Sequence, residues 1–236
     1  MRAIYRREMQ SYFYTPAAYV FMGVFLTLAS IFFAVGNLSA RSGNLLNLLA
    51  QLSYLWMLLS PVLTMRLLAG ERRQHTDQLL YSSPCSLGAL IGGKYLAACT
   101  VLLMTAAVSF VYCLIVAVYG TLYLGETMVG YLGLILQGCA FIALDLFISC
   151  FARSQMTAAV AGVGMNLLVW FSDVVASAVT VRWIGDGLKF ISLYQRFAPF
   201  ARGQLSFSNV LFYCLFIGIM LFLSVRVIVS RRWSEA

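Results

Sequence analysis

The chain has 236 residues, of which 62% are hydrophobic and 10% are charged, too few for a soluble domain, where about a quarter carry charge. A mean hydropathy of +0.88 makes lipid the main solvent of the fold. The formal charge of +8 excludes little by itself; topology accounts for it better than nucleic acid does, because cytoplasmic loops of membrane proteins are enriched in Lys and Arg.

The opening stretch, "MRAIYRREMQSYFYTP", predicts an interfacial helix over 1–15. At about 100° per residue, Tyr5, Met9, Tyr12 and Phe13 share one side, and Arg6, Arg7, Gln10 and Ser11 the other. Such a helix lies along the headgroups with its basic face outward. Pro16 then opens the first span, as Pro is tolerated in a first helical turn.

A span needs about 20 apolar residues. Windows of that kind place six spans near 16–36, 48–69, 88–119, 128–151, 157–180 and 207–229. The first is not a signal peptide, because its apolar run from Ala17 to Val35 is too long for an h-region. With the N-terminus in the cytoplasm, eleven Lys and Arg fall on the inner side and five on the outer side. That bias sets both termini inside. The chain reads as a single transmembrane domain over 1–236, an all-α polytopic membrane protein.

Two connections stand out. Residues 71–86 join spans two and three inside. Thr76 can cap a short helix there, with Asp77 at its positive end. Leu79, Leu80 and Tyr81 give that helix an apolar side, and Ser83-Pro84 stops it. So short a helix is not stable alone and needs a partner to cover it. Residues 181–206 join spans five and six outside. Ile184, Leu188 and Ile191 recur there at helical spacing, and Pro199 and Gly203 interrupt it. One or two short helices dipping into the outer leaflet are expected.

"GALIGGKY" sets Gly88, Gly93 and Lys94 at phosphate-loop spacing, but Tyr95 follows where Ser or Thr must hold magnesium. The glycines read as close-packing positions, and Lys94 as a side chain snorkelling to the inner headgroups. Two acids fall inside spans, Asp145 and Asp173, each costing about 2.5–3.5 kcal/mol at mid-membrane. They differ in depth by about 14 Å and do not pair. Asp173 is expected to reach outer-leaflet water. Asp145 is expected to face the bundle interior or a cavity, as a candidate on a substrate or proton path.

No H-E-x-x-H is present, and the single histidine, His75, lies in the charged loop. The six cysteines form no C-x-x-C pair and most lie in apolar runs, where Cys acts as a small hydrophobe. A non-catalytic chain with no metal site, no disulfide and no cofactor of its own is expected.

"SPVLTMRLLAGERRQHTDQLLYSSPCSLGALIGGKYLAA" resembles the ABC-2 type permeases, most closely the gliding-motility and copper-enzyme-maturation branch. The matching residues are Pro61, Leu63 to Arg66, Glu71, Arg72, Thr76, Leu79, Leu80, Pro84, Gly93 and Lys94. "RREMQSYFYTPAAYV", "ARSQMTAAV", "RFAPFARGQLS" and the terminal "RRW" extend the likeness over nearly the whole chain. Gly70, His75, Gln78 and Asp145 depart from the pattern.

The resemblance implies a type V exporter-like fold and a function as the permease subunit of a bacterial transporter in the cytoplasmic membrane. It implies that residues 71–86 form a coupling helix that docks in a separate cytoplasmic ATPase. Glu71, Arg72, Arg73, Thr76, Gln78, Leu79, Leu80 and Pro84 are the candidate contacts. ATP and Mg would be bound by that partner, not by this chain. A second permease subunit, identical or paralogous, and membrane lipid complete the expected partners, with no nucleic acid. An extracytoplasmic partner protein driven by the same stroke is the alternative within the class. A secondary transporter or channel is the alternative outside it.

Overall fold

The computed structural model describes residues 1–39, 43–68, 87–119, 123–152, 154–178 and 192–234. In chain order these form α1 (Arg2–Tyr14), α2 (Ala17–Phe33) continued by a π-helical turn (Ala34–Leu38), α3 (Leu45–Thr64), α4 (Leu87–Ser109), α5 (Val111–Tyr119), α6 (Leu124–Ser149), α7 (Gln155–Ala178), α8 (Leu193–Phe197), a 3-10 turn (Phe200–Arg202) and α9 (Phe207–Ser234). No strand occurs among the described residues.

Six helices are long and apolar enough to cross a membrane: Ala17–Leu38, Leu45–Thr64, Leu87–Tyr119, Leu124–Ser149, Gln155–Val175 and Phe207–Ser230. Local chemistry sets several of their ends. Asn44 caps α3 by accepting from the Leu46 amide at 2.9 Å. That cap starts the helix three residues before the apolar run suggests. At the other end α3 stops at Thr64, and the Leu67 amide turns back to the Thr64 carbonyl at 3.0 Å. The third span is one apolar run in sequence but two helices in space. Ser109 Oγ bonds the Ala106 carbonyl at 2.7 Å at the break between α4 and α5, a back-bond of the kind that bends helices.

α6 is the most enclosed span and α9 the least. α6 packs against α3, α4, α7 and α9. Its glycines allow this approach. A Cβ on Gly130 would meet Leu49 of α3 at 2.6 Å, and one on Gly138 would meet Leu102 of α4 at 2.5 Å. Close backbone approach through small residues is how helices associate in lipid, where apolar burial between helices gains little. On the other side of α3, Trp56 stacks on Phe25 of α2 with ring centroids 4.3 Å apart.

α1 has its apolar side against the bundle. Tyr12 is buried, Tyr5, Met9 and Phe13 pack on the core, and Arg6, Arg7, Gln10 and Ser11 are exposed. At the opposite end, the described part of 181–206 holds α8 and the 3-10 turn. Their apolar residues Leu193, Phe197 and Phe200 are buried by protein, not in a lipid leaflet as the sequence suggested. Tyr213 Oη holds the Leu193 carbonyl at 2.7 Å. Gly203 ends the turn at φ +72°, and a Cβ there would meet Glu126 Cβ at 2.6 Å, so a side chain would be strained and would clash. Ile184, Leu188 and Ile191 lie outside the described residues.

Candidate functional site

The coupling residues proposed from sequence, Glu71, Arg72, Arg73, Thr76, Gln78, Leu79, Leu80 and Pro84, lie outside the described residues. Both flanks of the segment are described, and α1 joins them. Tyr12 Oη donates to the Leu63 carbonyl at 2.8 Å. Burial pushes the Tyr12 phenol above its ordinary range, so it remains a donor. Arg66 Nη1 donates to Thr15 Oγ1 at 2.6 Å. Lys94, near the start of α4, donates from Nζ to Glu8 Oε1 of α1 at 3.0 Å and to the Leu67 carbonyl at 2.6 Å. The carbonyls of Leu63 and Leu67 sit at or just beyond the end of α3, where intrahelical donors run out. α1 and α4 supply what the helix end lacks.

Lys94 therefore does not snorkel. Its side chain is 1% exposed, because α1 covers the start of α4 and presents a carboxylate there. An ammonium so enclosed requires a counter-charge, and removing one partner of such a pair costs about 3–5 kcal/mol. Gly93 has the close-packing role expected of it, since a Cβ would meet Ile4 Cγ2 at 3.0 Å. At Gly88 an added Cβ would meet no atom within 4 Å among the described residues.

A second polar cluster lies within the bundle. Asp145 of α6 is 2% exposed and accepts from Ser60 Oγ of α3 at 2.6 Å. Asn166 of α7 donates from Nδ2 to the Met57 carbonyl at 3.0 Å and to Ser60 Oγ at 3.3 Å. The Met57 carbonyl is available because Pro61, four residues on, has no amide hydrogen. The other oxygen of Asp145, Oδ1, faces Gly162 on α7, where a Cβ would come within 3.2 Å. Three spans thus meet at one carboxylate.

Asp173 is also largely buried, against protein. Its Oδ2 accepts from the Tyr194 amide at 3.2 Å, at the start of α8. α8 packs against α7 and brings an amide of its first turn to the acid. Asp145 and Asp173 are held by different partners, Ser60 and Tyr194. Among the described residues, no three His, Cys, Asp or Glu side chains are placed to hold a metal ion. Glu8, Ser60 and Asn166 were not singled out from sequence. Asn166 is uncharged, and Glu8 stood beside Tyr12 on the helical wheel as the one acid at the edge of the apolar arc.

The family model of the ABC-2 family transporter protein matches residues 51–227, which is most of the chain and runs from within α3 to within α9. The chain belongs to the ABC-2 transporter family. It is a multi-pass membrane protein and the permease subunit of an ABC transporter, a membrane transport component. No curated protein matches it. In this ABC-2 permease, α1 and α2 precede the matched segment, so the junction at Glu8 joins an element outside it to α3 and α4 inside it.

Proposed function

We propose that this ABC-2 permease is the membrane half of a bacterial exporter of the gliding-motility and copper-enzyme-maturation branch, working as a dimer with a second permease subunit. Its energy comes from a separate cytoplasmic ATPase that binds ATP and magnesium. Residues 71–86 are the coupling helix, both termini are cytoplasmic, and the membrane is the bacterial inner membrane. The observation that carries this reading is the junction at the flanks of 71–86. The end of α3 and the N-terminal part of α4, at Lys94, are tied in a buried, hydrogen-bonded knot, so a push on the intervening segment reaches both helices without slack.

Tilting α3 would disturb the contact among Ser60, Asp145 and Asn166, which supports Asp145 as the polar point that responds when the path opens. The test is purification of the full chain from its own membrane, followed by reconstitution into vesicles. The expected result is an associated ABC ATPase whose vanadate-sensitive turnover changes on reconstitution. Asp145→Asn should keep the assembly and alter that turnover; an unchanged rate removes Asp145 from the path. A chain that purifies alone and moves solute without ATP is a secondary transporter or channel, and the reading is then wrong.

A further inference from the structure

We propose that Glu8 and Lys94 are positioning residues for energy coupling, locking α1 to α3 and α4 so that the three move as one rigid body when the ATPase closes. This rests on the coupling reading of residues 71–86. Helices that flank a loop can absorb a push by sliding past one another, because the loop alone is a weak tie. Here that freedom is removed by α1, which is bonded to both flanks. On the α3 side it holds the Leu63 carbonyl through Tyr12 and Arg66 through Thr15. On the α4 side it holds Lys94 through Glu8 and Thr100 through a 3.0 Å contact with Tyr5 Oη. Lys94 closes the circuit by bonding the Leu67 carbonyl directly.

An ion pair is a poor choice for stability alone at such a place. Replacing a buried pair with apolar side chains is often neutral or stabilising. What an ion pair supplies and an apolar contact does not is direction. The ammonium must sit within reach of one carboxylate oxygen and one carbonyl, which fixes the register of α1 against both helices. Apolar surfaces in lipid slide at little cost, since no water is excluded between them.

The test separates a register lock from a structural support. In the full chain co-expressed with its ATPase, Glu8→Leu with Lys94→Met removes both charges together. The complex should assemble with a melting temperature no lower than the parent. Its ATP turnover relative to the isolated ATPase should fall about tenfold, a typical size for an energetic coupling between sites. Ile4→Cys with Gly93→Cys, added to that variant, re-tethers α1 to α4, because the Cβ positions are 3.2 Å apart, close to the separation a disulfide spans. Oxidation should restore the turnover and reduction should abolish it again.

Parental turnover in the uncrosslinked apolar variant overturns the lock. If that variant fails to assemble, the cross-link on the unaltered Glu8–Lys94 background decides. Turnover should survive it, because α1 and α4 already move together, and a cross-link that stops turnover overturns the proposal. A parallel Leu79→Glu with Leu80→Glu variant keeps the two failures apart. Retained turnover there removes the coupling reading and the lock with it. Lost turnover there, with parental turnover in the apolar variant, removes the lock alone.

Discussion

Pro61 and Asn166 illustrate how single residues in this bundle complete one another across helices. Proline takes away the amide that would bond the Met57 carbonyl, and the Asn166 side chain supplies the donor from α7. In lipid a bare carbonyl has no water to turn to. Asn166→Leu should therefore destabilise the permease by about 1–3 kcal/mol, the usual cost of an unsatisfied buried polar group. Adding Pro61→Ala restores an amide to α3 and should recover part of that loss. Thermal unfolding in detergent reads both variants. A double variant less stable than Asn166→Leu alone would show that the proline serves packing and not the exchange of donors. The sequence marked Asp145 and Asp173 by charge inside apolar runs, and both are buried polar contacts of the fold. It did not mark what surrounds Asp145, since Ser60 and Asn166 are uncharged and lie in other helices, nor the backbone amide of Tyr194 that holds Asp173. It misplaced Lys94 because a lysine near a helix end snorkels when headgroups are in reach, and only the tertiary position of α1 removes them.

Elements were legible where their cause is local. Six apolar runs of spanning length gave, among the described residues, six helical stretches long and apolar enough to cross a membrane, and the two-sided pattern of residues 1–15 gave α1. What composition did not reveal is what each amphipathic face meets. The apolar side of α1 meets α4 and α2, and that of α8 meets α6 and α7, because helix faces are matched by the bundle and not by the leaflet. The break between α4 and α5 was hidden for a similar reason, since the apolar run continues through both halves. α8 is short and held from outside itself: Ser192 caps it at the Gln195 amide, 3.0 Å away, and Asp173 holds the Tyr194 amide. Asp173→Ala should loosen α8 by about 0.5–2 kcal/mol, as loss of a cap does. The measurable consequence is faster maleimide labelling of a Gln195→Cys reporter, and an unchanged rate would mean that Tyr213 and packing alone fix the segment.

For the whole molecule, the account requires that the α1 end of the bundle face the ATPase and the α8 end face away. Excess Lys and Arg on the α1 side argues for that orientation. Single-cysteine variants at Gln74 and Gln195 should then label from opposite sides of sealed cells, and labelling of both from one side would contradict the six-span arrangement. The central claim is that the charged segment between α3 and α4 is where an ATPase delivers its stroke. Leu79 and Leu80 would be its apolar contacts, worth about 1.5–3 kcal/mol each if fully buried at the partner, and each 1.4 kcal/mol is about tenfold in affinity. Glu71, Arg72 and Arg73 at the rim would set register more than affinity, so Arg72→Ala should weaken binding less, and in a salt-dependent way. The most direct measurement is co-purification of the ATPase with full-length permease carrying Leu79→Glu and Leu80→Glu. The account predicts a variant that inserts in the membrane normally and brings down no ATPase. A variant that still brings down its ATPase with parental ATP turnover would contradict it.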